Sequence, residues 1–508
     1  MMKQLILLAA LLPAIADAQN YEYNFPTLTD DAGITGKYAP VSTPVCFGPD
    51  GTIYQSGLYD DMVMIGDDIL EPVATSAYLS VVNTASKAPL WTIPIQGASR
   101  ITAITTTANA IYIAGIFADD ITLGSKDLHS QSYSGTSLSH EKVNGFVAKY
   151  SKDGNLLASE SIIPHKIACY DDYESDLMVN PTSLAVYNGR LYIGLTFLGG
   201  YDIGSLSVDG NVKNSFGYWD SKCADVVAMS AEDLSVAECV YDIRNSSEVN
   251  TDGYAPSSIC ITASDDNLFI GTFTSVCTHE KMAGQINNEI TASNDGGNYF
   301  FILHALDKNG NDTRKMMAVA SERYYINNVI KKMTYTAGKL YLAGCVSTPL
   351  PMNPSLVPDL WCDQFASCMT AATLEPLWSV ITAAKRDDMA TTDEKYRETT
   401  DAALSEGKYT VVGATNFACD SNGVASDFTS EYCLGISDNG SALALTTKTD
   451  SGTRLSVKQH EISGMEEITL KEDCEETECV RYDILGRRIY TPQHGLPYIE
   501  KGRIHIAE

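Results

Sequence analysis

Six times the chain writes a short aromatic strand that leaves a tight polar turn and runs to a glycine: GTIYQSG from Gly51, NAIYIAG from Asn109, GRLYIG from Gly189, NLFIG from Asn267, GKLYLAG from Gly338 and GKYTVVG from Gly407. The central aromatics, Tyr54, Tyr112, Tyr192, Phe269, Tyr341 and Tyr409, are 58, 80, 77, 72 and 68 residues apart. Such self-similarity constrains a fold more than any single motif, because each unit buries its faces only against its neighbours. A further apolar run precedes each of these strands. After each comes a variable stretch and then two strands joined by a DG, NG or similar polar turn, as in NGFVAKYSKDGNLLASESI from Asn144. Asp-Gly and Asn-Gly between alternating apolar runs are strong hairpin signals, so each unit reads as a four-stranded antiparallel meander.

Sheets of this kind bury both faces by stacking radially into a β-propeller, which leaves only short strand edges exposed. A linear β-solenoid generally uses repeats shorter than roughly 50 residues. The expectation is therefore an all-β, six-bladed β-propeller over residues 19–450, or a seven-bladed one if residues 20–40 and 451–470 pair into another sheet. At NGFVAKYSKDGNLLAS the unit resembles the FVAKY-x-x-x-G-N blade repeat of bacterial propellers of the SBBP type. APLWTIPIQG and EPLWSVIT, with Trp91 and Trp378 in the fourth strand, resemble quinoprotein-like blades. Neither resemblance implies a single activity, since a fold is a scaffold on which sites are placed.

The N-terminal stretch MMKQLILLAALLPAIADAQN has a positive charge at Lys3, an apolar run from Leu5 to Ile15, and small residues at Ala16 and Ala18. This three-part pattern reads as a secretory signal over residues 1–18, cleaved after Ala18. The apolar run is shorter than the roughly 20 residues that span a bilayer. The formal charge of −29 disfavours nucleic acid and anionic membranes, which require basic patches. No transmembrane span is expected. With 13 cysteines, at least one thiol is unpaired or shared between chains. A chain of 508 residues has enough core to fold without disulfides. Cys474 and Cys479 are spaced to close a small local loop.

In a four-stranded meander the turns joining strands one to two and three to four leave one end of the sheet. The two-to-three connections and the links between blades leave the other. Here the first set is short and the second is long: residues 164–181, 244–256, 321–328 and 384–400. Long loops held on a rigid scaffold are where binding usually resides. These loops and the two-to-three connections supply the candidate binding residues Tyr59, Asp60, Asp61, Tyr170, Asp172, Tyr173, Trp219, Tyr254, Tyr324 and Trp361. Rings beside carboxylates suit a glycan, peptide or protein ligand, because a ring offers apolar area and tyrosine adds a polar handle.

Catalytic motifs are scarce. DKNGND, from Asp307 to Asp312, begins like a calcium loop but lacks the glycine and glutamate at the required spacing, and it reads as a turn. YDDYESD, from Tyr170 to Asp176, has oxygens for calcium without a fixed ligand spacing; no cofactor or metal site is otherwise expected. His140-Glu141 and His279-Glu280 do not complete H-E-x-x-H, and no G-x-S-x-G elbow is present. The expected function is a noncatalytic binding or adhesion protein, secreted or surface-exposed, that uses its long-loop face. The alternatives are a carbohydrate-active hydrolase or lyase using rim carboxylates, and a structural part of an envelope assembly.

Residues 451–508 fall outside the repeat. CVRYDILGRRIYTPQHGLPYIEKGRIHIAE alternates as short strands separated by turns, which suits a small sheet. Its Tyr482, Asp483, Gly486, Arg487, Arg488, Gly495, Tyr498 and Gly502 resemble the Y-D-L-x-G-R-R-V…P-x-x-G-x-Y-I-x-x-G-K-K tail of proteins exported by type IX secretion. The resemblance implies passage through the periplasm of a Gram-negative cell, recognition by secretion machinery, and release or attachment at the cell surface.

Overall fold

The computed structural model describes residues 20–28, 43–84, 86–130, 143–165, 178–209, 223–235, 237–245, 258–275, 277–282, 298–321, 328–358, 363–382, 399–413 and 415–460. Toward the C-terminus it describes residues 481–483, 488–489, 497–500 and 503–506. The chain divides into two compact units, Met1–His460 and Glu461–Glu508.

The first unit is an all-β, seven-bladed β-propeller of antiparallel sheets. From inner to outer strand, blade 1 is Val45–Phe47, Ile53–Tyr59, Ser76–Asn83 and Ala88–Gln96; blade 2 is Ser99–Thr106, Ala110–Phe117, Asn144–Ser151 and Leu156–His165. Blade 3 is Met178–Tyr187, Arg190–Leu198, Cys223–Ser230 and Glu238–Asn245; blade 4 is Ser258–Ala263, Leu268–Ser275, Asn298–Leu306 and Asp312–Ser321. Blade 5 is Val329–Thr336, Lys339–Val346, Asp363–Thr370 and Pro376–Thr382; blade 6 is Thr399–Ser405, Lys408–Gly413, Phe417–Cys419 and Ala425–Asp427. Blade 7 takes Cys433–Asp438, Ala442–Thr449 and Gly452–Gln459 from the end of the propeller and its outermost strand, Tyr21–Phe25, from the beginning.

This corrects the expected blade number from six to seven, and it is the alternative pairing that holds. Blade 6 completes itself with the hairpin 417–427, whose strands are only three residues each. The longer strands at Cys433 and Ala442, which look like its outer half in sequence, instead open blade 7. The propeller consequently extends to His460 rather than to residue 450.

Blade 7 closes the ring. Tyr21–Phe25 pairs with the strand Gly452–Gln459 from Tyr21 opposite Val457 to Phe25 opposite Thr453. Phe25, 1% exposed, packs with Tyr78 of blade 1 at 6.0 Å between ring centroids. The chain then crosses to blade 1, where Leu28 N donates to Leu58 O at 2.8 Å. On the inner side, Thr43 N donates to Leu434 O at 3.3 Å.

The sequence phrase that follows the repeated strand has its own structural role. After the second strand of blade 2, ITLGSKDL forms the hairpin Ile121–Leu128, which adds to the outer strand of blade 1 through Leu123 opposite Ile95. After the second strand of blade 3, Gly200–Val208 does the same on blade 2, with Ile203 opposite Ile162. Cys277–Met282 from blade 4 pairs with the outer strand of blade 3. The outer edges of blades 1, 2 and 3 are therefore covered by a strand from the next blade, which removes open backbone donors and acceptors that would otherwise invite pairing.

Four of the six glycines that end the sequence repeat lie opposite a bulge. In blades 2, 3, 5 and 6 the inner strand slips by one residue, at Thr102, Thr182, Lys331 and Thr400, facing Gly115, Gly194, Gly344 and Gly413. Bulges add local twist and re-aim a side chain. Here the hydroxyls of Thr102, Thr182 and Thr400 donate to the next blade's inner strand, at Pro181 O (2.6 Å), Ile259 O (2.8 Å) and Cys433 O (2.9 Å). The displaced backbone crowds the glycine: a Cβ on Gly344 would collide with the carbonyl of Val329 and lie 2.8 Å from the Phe365 ring. Fourth-strand tryptophans make a second inter-blade contact, Trp91 against Gly154 of blade 2 and Trp378 against Gly423 of blade 6.

The second unit is a small antiparallel sheet in the order Arg488–Ile489, Arg481–Asp483, Pro497–Glu500 and Arg503–Ile506. Tyr482 lies opposite Arg488 on one side and Ile499 on the other.

Gly344→Ala should destabilise the propeller by about 2–3 kcal/mol through overpacking at the bulge. Gly338→Ala, at a turn with φ +75° and open space around it, should cost only about 1 kcal/mol for the left-handed backbone. Urea unfolding midpoints of the two variants check the ranking.

Candidate functional site

Antiparallel order within each blade sends the two-to-three connections and the inter-blade links to one end of the ring. Of the ten residues expected to bind there, three lie among the described residues. Tyr59 ends the second strand of blade 1 and is 1% exposed, its ring 6.5 Å from that of Tyr78, so it serves the core. Asp60 and Asp61 are exposed in the turn that follows. Tyr170, Asp172, Tyr173, Trp219, Tyr254, Tyr324 and Trp361 lie outside the described residues, as do the YDDYESD stretch and His140-Glu141. Of the tail motif, Tyr482, Asp483, Arg488 and Tyr498 lie in strands; Gly486, Arg487, Gly495 and Gly502 are outside the described residues.

Directly after Asp60 and Asp61 the chain forms the hairpin Val63–Ile65 with Asp68–Leu70. It corresponds to the hairpins 121–128 and 200–208, and the turn glycines Gly66, Gly124 and Gly204 share φ values of 61°, 60° and 56°. Its inner face is conventional: Ile65 and Leu70 pack with Tyr21, Phe25 and Val457. Asp68 Oδ2 accepts from Thr92 N at 2.6 Å, and Gly66 N donates to the Tyr23 hydroxyl at 2.9 Å.

Its outer face differs from the other two. The cross-strand pair facing outward is Thr122 with Asp127 in the second hairpin, hydrogen-bonded at 2.7 Å, and Asp202 with Ser207 in the third. In the first hairpin that pair is Met64 with Ile69, 65% and 64% exposed, flanked by the exposed Met62 and Val73. Sequence reasoning stopped at the aromatic residues and missed this exchange of polar for apolar. Aligning VMIGDDIL with ITLGSKDL would have disclosed it.

The seven inner strands enclose an axial channel with a cavity of about 270 Å³, lined by residues from every blade, among them Val45, Thr105, Leu184, Thr262, Lys332, Asp401 and Leu434. Lys332 Nζ meets Asp401 Oδ1 at 3.0 Å, joining blades 5 and 6. The Asp401 side chain is 10% exposed, while that of Lys332 is 39% exposed. Asp401 is further fixed by Ala402 N at 2.9 Å and Ile436 N at 3.1 Å. Burial in the channel wall works against the lysine charge, but the Asp401 carboxylate outweighs it and holds Lys332 above its ordinary value.

Two thiols lie close to this pair. Burial pushes Cys260 up to about 11 and Cys46 up to about 12, the nearby Lys332 only partly offsetting it. Thiols held protonated in this way are poor nucleophiles. Among the described lining residues Asp401 is the one carboxylate, and the carboxylate pair that acid–base hydrolysis uses does not occur among them. No group of three metal-ligating side chains occurs among the described residues. Asp307 forms a turn as expected, its Oδ1 accepting from Asn309 N at 2.8 Å and Asn311 N at 2.9 Å.

No family model matches the chain, and no curated protein matches it. Among solved structures, a chain of the mitotic checkpoint complex is similar at TM-score 0.40 and 9% identity, covering 88% of this chain and 94% of that one. BamB from Moraxella catarrhalis is similar at TM-score 0.34 and 11% identity, covering 79% and 98%. Quinohemoprotein alcohol dehydrogenase from Comamonas testosteroni is similar at TM-score 0.37 and 11% identity, covering 91% and 79%. The chain is a β-propeller with distant structural similarity to WD40 and quinoprotein or BamB-type propellers.

Because Lys332 titrates above its ordinary value when folded, its pairing with Asp401 stabilises the ring fully below the unfolded lysine value. That stabilisation is lost as pH rises through the folded value. Asp401→Asn should cost about 1–3 kcal/mol at neutral pH, less than a fully buried pair because Lys332 is partly open to channel water. The difference between wild type and variant should shrink only above about pH 10.4, which thermal unfolding across pH measures.

Proposed function

We propose that this chain is a noncatalytic β-propeller that binds a polypeptide partner on its loop-bearing end, centred on the hairpin Val63–Leu70. One observation carries the reading: at a position where two equivalent hairpins present Thr122/Asp127 and Asp202/Ser207, this one presents Met64 and Ile69 beside Met62, Val73, Asp60 and Asp61. Contiguous exposed apolar side chains rimmed by charge are characteristic of protein interaction sites. Methionine adapts its shape to a partner at little cost. An aliphatic patch suits a polypeptide better than a glycan, which stacks on rings.

The protein acts after export. The signal pattern ending at Ala18 supports this, and cleavage there leaves the closing strand Tyr21–Phe25 intact. The likeness of residues 482–503 to type IX sorting tails, and of the NGFVAKYSKDGN unit to bacterial SBBP blades, supports a place at the surface of a Gram-negative cell or outside it. The sign of the overall charge favours a neutral or basic partner surface.

Screening the mature protein against peptide, protein and glycan arrays, with a hydrolysis assay in parallel, tests the reading. Saturable polypeptide binding without turnover is the expected result. Met64→Ser with Ile69→Thr should weaken it at least tenfold, about 1.4 kcal/mol, while Thr122→Ala leaves it unchanged. Turnover of a glycan, or binding indifferent to the hairpin substitutions, would refute it.

A further inference from the structure

The axial channel carries a cation whose hydrogen-bonding capacity its neighbour does not exhaust. An ammonium has three N–H donors, and the contact of Lys332 with Asp401 at 3.0 Å accounts for one. Asp401 itself is well supplied, since two backbone amides and the lysine already share its oxygens. The asymmetry matters: the Asp401 side chain is nearly closed off, while that of Lys332 is 39% exposed and lines the cavity.

The geometry points to this channel as a binding site for a small molecule bearing a single carboxylate, which takes the remaining donors of Lys332. Size and charge both select that class. The cavity of about 270 Å³ has room for one small organic molecule in place of several waters at about 30 Å³ each. A lysine is a point charge without the planar fork that grips carboxylate or phosphate bidentately, so charge rather than shape decides between them. A dianion would also be repelled by the Asp401 carboxylate on the same ammonium. A monocarboxylate satisfies the cation with the least repulsion, and the threonine methyls and aliphatic side chains of the inner strands accept its tail.

This site is separate from the hairpin Val63–Leu70, and either assignment can fail without the other. The probes are butyrate, its uncharged isostere butyramide, inorganic phosphate, and the peptide amide N-acetyl-Gly-Glu-Gly, titrated calorimetrically at constant ionic strength into the full propeller-containing chain. Butyrate should bind at millimolar or tighter affinity, at least tenfold better than butyramide or phosphate. Lys332→Arg should retain butyrate binding within a few fold. The paired substitution Lys332→Met with Asp401→Asn removes both charges without stranding a carboxylate, and it should abolish binding while circular dichroism and the unfolding midpoint show a folded ring. Tighter binding of the peptide than of butyrate would assign the carboxylate to a polypeptide side chain; the reverse would assign it to a free acid. No saturable butyrate binding, equal binding of butyramide, stronger binding of phosphate, or undiminished binding in the folded double variant would each overturn the assignment.

Discussion

The propeller depends on one non-local pairing, that of Tyr21–Phe25 with Gly452–Gln459. Seven sheets arranged around an axis have no intrinsic reason to stay closed, because each blade is bound covalently only to the next. Joining the first described strand to the last blade converts an open stack into a ring, in which every sheet buries both faces. Phe25 extends that seam into blade 1 by packing with Tyr78, and the hairpin Val63–Leu70 lays Ile65 and Leu70 over the same junction. The candidate binding hairpin therefore stands on the closing seam, where two ends of the chain meet.

Within the ring, a second device repeats. An inner-strand bulge directs a threonine hydroxyl at the neighbouring blade and forces a glycine in the strand behind it. Aromatic third-strand residues, Phe146 opposite Gly115 and Phe365 opposite Gly344, fill the space the glycine leaves. In blade 5 the bulged residue is Lys331 rather than threonine, and Lys332 follows it. Among the blades whose bulge faces a glycine, blade 5 is the one without threonine, and it brings charge into the channel, where Asp401 of blade 6 meets Lys332. A departure from an otherwise repeated rule is where a functional role is expected.

Much of this was legible in the sequence, and the exceptions have physical causes. The aromatic-to-glycine strands announced the blades because their alternation is strong, and the DG and NG turns placed the outer hairpins correctly in blades 2 and 4. Blade 6 was misread because Phe417–Cys419 and Ala425–Asp427 are too short to show periodicity, while the longer CLGISD and ALALTTKT beside them are conspicuous. The seventh blade was legible only as an alternative, because its strands come from opposite ends of the chain and no local pattern carries such a pairing. Tyr59 was taken for a rim residue since it adjoins Asp60 and Asp61, yet the strand's end points its ring inward. The Lys332–Asp401 contact joins residues 69 positions apart in sequence, and the packing of blade 6 against blade 5 brings them together.

Amide hydrogen exchange followed by mass spectrometry, comparing the mature chain with a variant lacking residues 20–27, tests the closed ring most directly. The account predicts that Tyr21–Phe25 and Gly452–Gln459 exchange slowly and together in the mature chain. Removing residues 20–27 should make Gly452–Gln459 and the hairpin Val63–Leu70 exchange rapidly. Fast exchange of Tyr21–Phe25 in the mature chain, or unchanged protection of Gly452–Gln459 after the deletion, would contradict a ring closed by its N-terminal strand.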